Sequence, residues 1–294
     1  MGRELRDRLA ATLVGITAVA SVMVAFAMAA GLLLKSRPIL ATSPIWRLLG
    51  SSSWRPQAGE FGFLPFIAGT LWVSSLAMLI AIPICLLSAL FLAEYARARF
   101  RSSARPVLDL LAGIPPVVFG LWGVLALVPL AEKLGDRVGS STTGYCVLAG
   151  GLVLAIMVFP IAISVMQEVL RKVPIEAREA SLALGATKWQ TTKHIVLRAA
   201  YPGICAAVVL GFSRALGETM AVLMVVGNVP IVPQSVFDPA YPLPALIANN
   251  YGEMMSVPLY DSALMFAAAL LLAVVLVLNV AASFVLRGLE RRLA

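Results

Sequence analysis

Six stretches of this chain stay apolar for longer than the roughly 20 residues a helix needs to cross the hydrocarbon core of a bilayer. They fall at about 10–34, 68–93, 107–130, 143–169, 202–226 and 259–286. Sixty per cent of the 294 residues are hydrophobic and 13% are charged, which leaves too little polar surface for a soluble domain of this size. The expected fold class is therefore an all-α membrane protein with six transmembrane helices.

The basic residues orient those helices. The net charge is +8, but its distribution does not suit a nucleic-acid surface. Lys and Arg number 16 in 1–9, 94–106, 170–200 and the C-terminal tail taken together; they number only 6 in the segments on the other side, of which 227–258 has none. By the positive-inside rule both termini and the basic loops are cytoplasmic.

Arg3, Arg6 and Arg8 precede the first span, and Ala27 and Ala29 offer a small-residue cleavage pattern. The apolar stretch is about twice the length of a signal-peptide core, so an uncleaved helix is expected. Cys85, Cys146 and Cys205 all lie in spans and share no metal-ligand spacing, and His194 is the single histidine. No phosphate-binding G-x-x-x-x-G-K-[ST] loop, G-x-S-x-G or H-E-x-x-H occurs. No catalytic residue, metal or cofactor is expected, and the energy for any transport has to come from elsewhere.

The segment "LRKVPIEAREASLALGATKWQTTKHIVLRAA" (170–200) is the longest basic loop. Pro174 suits the first turn of a helix, Glu176 and Glu179 its dipole, and Gly185 its end. A second amphipathic helix then carries Trp189, Ile195 and Leu197 towards the fifth span. Glu179-Ala180-Ser181, Gly185, Ile195 and Leu197 resemble, in type and spacing, the EAA loop of binding-protein-dependent type I ABC importer permeases. Ser181 stands where that family has a third alanine, and Arg198 where it has a proline. The stretches 61–96, 110–125 and "GFSRALGETMAVLMVVGN" (211–228) resemble, within the family, the PstC-type permeases of phosphate importers.

The resemblance implies a coupling helix, formed by Glu179, Ala180, Ser181 and Gly185, that docks into a separate ATPase subunit. It also implies a complex with a second permease of the PstA type, two ATPase subunits of the PstB type and a periplasmic phosphate-binding protein of the PstS type. The transported species would be inorganic phosphate, across the inner membrane. Residues 1–66 would hold the first helix and a periplasmic segment, 67–287 the permease domain, and 288–294 a cytoplasmic tail. A PstA-type permease, a permease for another oxyanion, and an ion-driven secondary transporter are the alternatives. Residues 36–58 match no pattern.

Two features of the spans call for function. Pro115-Pro116 removes two backbone donors in the third span, giving a kink or break, and Asp109 is read as lying at that helix's favourable N-terminal end. Arg214 and Glu218 stand four apart in the fifth. On a continuous helix they share a face with Gly211, Ala215 and Ala221, which would point the pair into a bundle. One Arg near mid-bilayer costs about 2.5–3.5 kcal/mol, several leucines' worth of insertion energy. Either the two charges form a bridge that fixes helix registry, or Arg214 meets a passing anion with Glu218 moderating its grip. The outer segment 227–258, with six prolines and the apolar run "PALIANNYGEMM", is expected to contact a soluble binding protein.

Overall fold

The computed structural model describes residues 2–253 and 256–293. Helix α1 (Gly2–Lys35) leads into two short helices, α2 (Arg37–Thr42) and α3 (Ile45–Gly50), and a small antiparallel hairpin of β1 (Trp54–Arg55) and β2 (Glu60–Phe61). Helix α4 (Leu64–Leu90) ends in a π turn at Phe91–Tyr95 and is followed by α5 (Ala98–Ala112). Helix α6 (Pro116–Trp122) continues through a π turn at Gly123–Leu127 into α7 (Val128–Val138), and α8 (Val147–Arg171) returns. Then come α9 (Ile175–Ala183) and α10 (Lys188–Thr191), the latter fused by a π turn at Thr192–Val196 to α11 (Leu197–Gly217). The short α12 (Met220–Leu223), α13 (Leu243–Asn250) and the long α14 (Tyr260–Leu293) complete the chain. Among the described residues six helical segments are long and apolar enough to cross a membrane.

Helices α4, α8 and α11 pack most extensively and form the centre. Lipid tails are as apolar as leucine, so helices in a membrane associate through close packing of small side chains. Ala77, Ala81, Cys85 and Ala89 recur every four residues of α4 and are all buried. Facing them, Gly151 of α8 leaves so little room that a Cβ there would stand 2.9 Å from Leu76 Cδ2.

A second core closes the end of the bundle opposite α9. Residues 36–66, α13 and the start of α14 bury Ile39, Phe63, Phe66, Leu243, Leu246 and Tyr260 together. Trp54 meets the edge of Phe66 at 4.8 Å, and the Ile39 amide donates to Ser262 Oγ at 3.1 Å. The segment that matched no pattern is thus an aromatic cap.

Several expectations need correction. The third span is not one rod over 107–130. The chain breaks between α5 and α6, and the membrane-length helix runs Pro116–Val138, so 131–138 is helix rather than loop. Pro115 is extended (ψ 140°) and its ring, with that of Pro116, leaves α5's last carbonyls without i+4 donors. Asp109 consequently lies in the last turn of α5, where the dipole opposes it; Arg105, Arg171 and Lys172 share its polar cleft instead. The fifth span starts at Lys188 and ends at Gly217, not 202–226. It passes unbroken through Arg198 and on through Pro202.

The outer segment is not a loose loop. The carbonyls of Asp238 and Val236 accept from the first two amides of α8, Val147 and Leu148, at 2.9 and 2.8 Å. In "PALIANNYGEMM" the residues Pro244, Ala245 and Leu246 are core, and exposure begins only at Ala248. Met254 and Met255 lie outside the described residues.

Candidate translocation and coupling sites

The α9–α10 hairpin is built by its own punctuation. Pro174 is the extended residue before α9, one position earlier than the sequence suggested. Gly185 ends the helix with φ +83°, a left-handed conformation that costs other residues about 1–2 kcal/mol. Its amide donates to Leu182 O at 2.9 Å, and Ala186 N–H to Ser181 O at 3.3 Å. Thr187 and Gln190 then cap α10 reciprocally: Thr187 N–H donates to Gln190 Oε1 at 2.8 Å and Gln190 N–H to Thr187 Oγ1 at 3.3 Å.

Glu179, Ala180 and Gly185 are exposed on this hairpin. Ser181 is half-buried, and its hydroxyl lies 2.9 Å from that of Thr191, tying the two helices together. Ile175, Leu182 and Trp189 stand in the open, and Leu184 at the turn is 90% exposed. A rigid knob with apolar residues around small ones is suited to insertion into a cleft.

Side chains from three helices hold the hairpin from beneath. Arg178 Nη2 lies 3.1 Å from Glu94 Oε1 in the π turn that ends α4, and donates to the Leu170 carbonyl of α8 at 2.7 Å. Arg101 Nη2 of α5 donates to Ala93 O and Ala96 O of the same turn, each at 3.2 Å. Lys188 Nζ sits 4.7 Å above the Tyr95 ring. A glutamate beside the cytoplasmic end of one span and an arginine in the loop after another were the available signal.

The structure separates Arg214 from Glu218. α11 stops at Gly217, and Glu218 is extended (φ −73°, ψ 127°). Its carboxylate turns to the backbone, where Oε1 accepts from the amides of Thr219 at 3.1 Å and Ala221 at 3.3 Å and so caps α12. Gly217 has no side chain to favour helix and Glu218 offers the backbone a competing acceptor, so the helix ends there. The expected face of 211, 214, 215, 218 and 221 therefore does not exist. Gly211 and Ala215 are buried, while Arg214 is exposed in this chain beside Leu210 and Gly217. Among the described residues no carboxylate pairs with it. Nearby, Ser213 Oγ lies 2.6 Å from Asn279 Oδ1 of α14, a polar contact between spans that the sequence reading missed.

Pro115 and Pro116 open α6, and α6 packs on α12: a Cβ on Gly120 would stand 3.2 Å from Ala221 Cα. The two interrupted helices meet. Glu218, Thr70 and Ser74 line a cavity of about 10 Å³ beneath them, enough for one water.

Residues 81–294 match the family described as "Binding-protein-dependent transport system inner membrane component". The chain belongs to that family. As a family member it is 36% identical over 310 aligned positions to the "Phosphate transport system permease protein PstC" of Xylella fastidiosa (strain Temecula1 / ATCC 700964), covering 99% of this chain and 95% of that one. It is 39% identical to the "Probable ABC transporter permease protein YqgH" of Bacillus subtilis (strain 168), covering 81% and 78%. Among solved structures, a chain of a bacterial ABC transporter for the acidic polysaccharide alginate superposes with TM-score 0.66 at 17% identity, covering 96% of both. A chain of the MetNI methionine ABC transporter does so with TM-score 0.57 at 18% identity, covering 75% and 93%. The fold of this family member is that of the type I ABC importer permeases, and the protein is a multi-pass membrane protein.

Proposed function

We propose that this chain is one permease subunit of an ATP-driven phosphate importer of the inner membrane, working with a second permease, two ATPase subunits and a periplasmic phosphate-binding protein. It hydrolyses nothing itself; the partner ATPases supply the energy. The observation that carries this reading is Arg214, a permanent cation exposed within the otherwise uncharged stretch 199–217, at the point where the fifth span breaks. The names of the near-full-length relatives supply the phosphate. A guanidinium presents a planar fork that matches two phosphate oxygens and does not deprotonate.

In this reading Arg214 faces the second permease, and the pathway runs between the two. The unpaired guanidinium attracts the anion, and the Glu218 carboxylate one residue beyond the helix end keeps the local field from becoming a trap. The α9–α10 hairpin docks in the ATPase through Glu179, Ala180, Gly185 and the projecting Leu184. Both termini and the hairpin are cytoplasmic, in keeping with the basic loops.

The complex reconstituted in liposomes with the phosphate-binding protein tests it. Arg214→Gln is expected to lose most phosphate uptake while the four kinds of subunit still co-purify. Uptake at the unaltered rate by an assembled Arg214→Gln complex would remove the pathway role.

A further inference from the structure

The Glu94–Arg178 pair is the most buried pair of opposite charges among the described residues. The two side chains are 9% and 21% exposed, whereas the other pair, Glu168–Lys172, is in the open. Burying two charges is costly unless their geometry is excellent and every donor is matched. Here it is not. Arg178 uses a single Nη2 for both Glu94 and the Leu170 carbonyl, and the Nε atoms of Arg178 and Arg101 are buried with no acceptor. A bridge kept only for rigidity would be better served by a two-pronged arginine–carboxylate fit. An incompletely satisfied joint suits a contact that has to re-form in a second arrangement of the same helices.

Its position supports that use. Arg178 is next to Glu179 on the coupling helix, but its side chain points the other way, to the end of α4. Lys188, across the hairpin, reaches the adjoining Tyr95. The hairpin is therefore fastened to α4 as well as to the helices it joins in sequence, α8 and α11. From its π turn α4 runs about 40 Å as one helix, 27 residues at 1.5 Å each. Near its far end it carries Thr70 and Ser74 to the small cavity that Glu218 lines, and Thr70 Oγ1 accepts from the Leu243 amide at 2.8 Å. A push on the hairpin thus has a direct route to the helix break beside Arg214.

We propose that Glu94 and Arg178 are positioning residues: their buried pair is the joint through which the coupling hairpin moves α4, without either side chain touching the ATPase or the transported anion. This rests on the coupling reading above and deepens it.

The test uses the full reconstituted importer and reads phosphate transported per ATP hydrolysed, with ATP hydrolysis and complex assembly measured alongside. Glu94→Gln keeps shape and removes charge. It is expected to leave assembly and ATP hydrolysis within about twofold and to lower phosphate per ATP about tenfold, the size of an ordinary coupling loss. The exchange Glu94→Arg with Arg178→Glu is expected to recover a large part of that ratio, which a merely structural pocket would not do. Unchanged phosphate per ATP in an assembled Glu94→Gln complex overturns the joint, as does failure of Glu94→Gln to assemble, since the pair is then structural. Failure of the underlying reading looks different: an ATPase that never co-purifies with the unaltered permease, or normal uptake after Gly185→Pro.

Discussion

At the scale of single residues, Arg214 stands in the last turn of the fifth span, and the nearest carboxylate in sequence is occupied with backbone amides. The charge is thus unshared among the described residues. Arg214→Lys keeps the charge and loses the fork, so it is expected to retain some uptake, with a raised KM for phosphate, where Arg214→Gln retains almost none; initial-rate uptake in liposomes separates the two. Glu218→Ala should cost about 0.5–2 kcal/mol of stability, the usual value of a lost helix cap, seen as a lowered midpoint in a thermal scan, whereas Glu218→Asp should lose less. Both charges were legible in the sequence, because a charge inside 20 apolar residues stands out. Their relation was not. A four-residue spacing implies a pair only on an unbroken helix, and Gly217 with Glu218 supplies the break.

At the scale of elements, α9 depends on the left-handed Gly185. Gly185→Val should distort the turn by the strain of a β-branched residue at positive φ, about 1–2 kcal/mol, and is expected to reduce ATPase co-purification while leaving the permease in the membrane; a pull-down quantifies it. The hairpin itself was readable, since Pro174, Gly185 and the Thr187–Gln190 box are local signals. Its joint to α4 was not, because Glu94 and Arg178 are brought together only by packing. The Pro115–Pro116 break was likewise readable as an interruption. That α5 would be a separate helix was not: the apolar run conceals the change of partner, and Arg99, Arg101 and Arg105 made 98–106 look like loop.

For the whole molecule, the six spans followed from hydropathy alone, with ends shifted where helices continue past the apolar window. The cap over residues 36–66 escaped because its elements are six residues or shorter and its stability comes from long-range aromatic contacts such as Trp54 with Phe66 and Tyr260. Truncating a fully buried aromatic typically costs about 3–5 kcal/mol, so Phe66→Ala, which removes a 0% exposed ring, should unfold the cap well below the temperature at which the unaltered chain melts, measurable by the fluorescence of Trp54 beside it. Sidedness is open to direct measurement. On a background without cysteine, Leu184→Cys is expected to react with an impermeant maleimide from the cytoplasmic side only, and Trp46→Cys, 74% exposed in the parent chain, from the opposite side only. The natural Cys146 should stay unlabelled in the intact protein, because it is fully buried.

The strap over α8 has a mechanical implication. Val236 and Asp238 give their carbonyls to the leading amides of that helix, and Asp238 folds its own carboxylate back onto Gln234 and Ser235. Peeling the strap away would orphan two donors at about 1–3 kcal/mol apiece. Two such bonds tie any displacement of the strap to that of α8 itself.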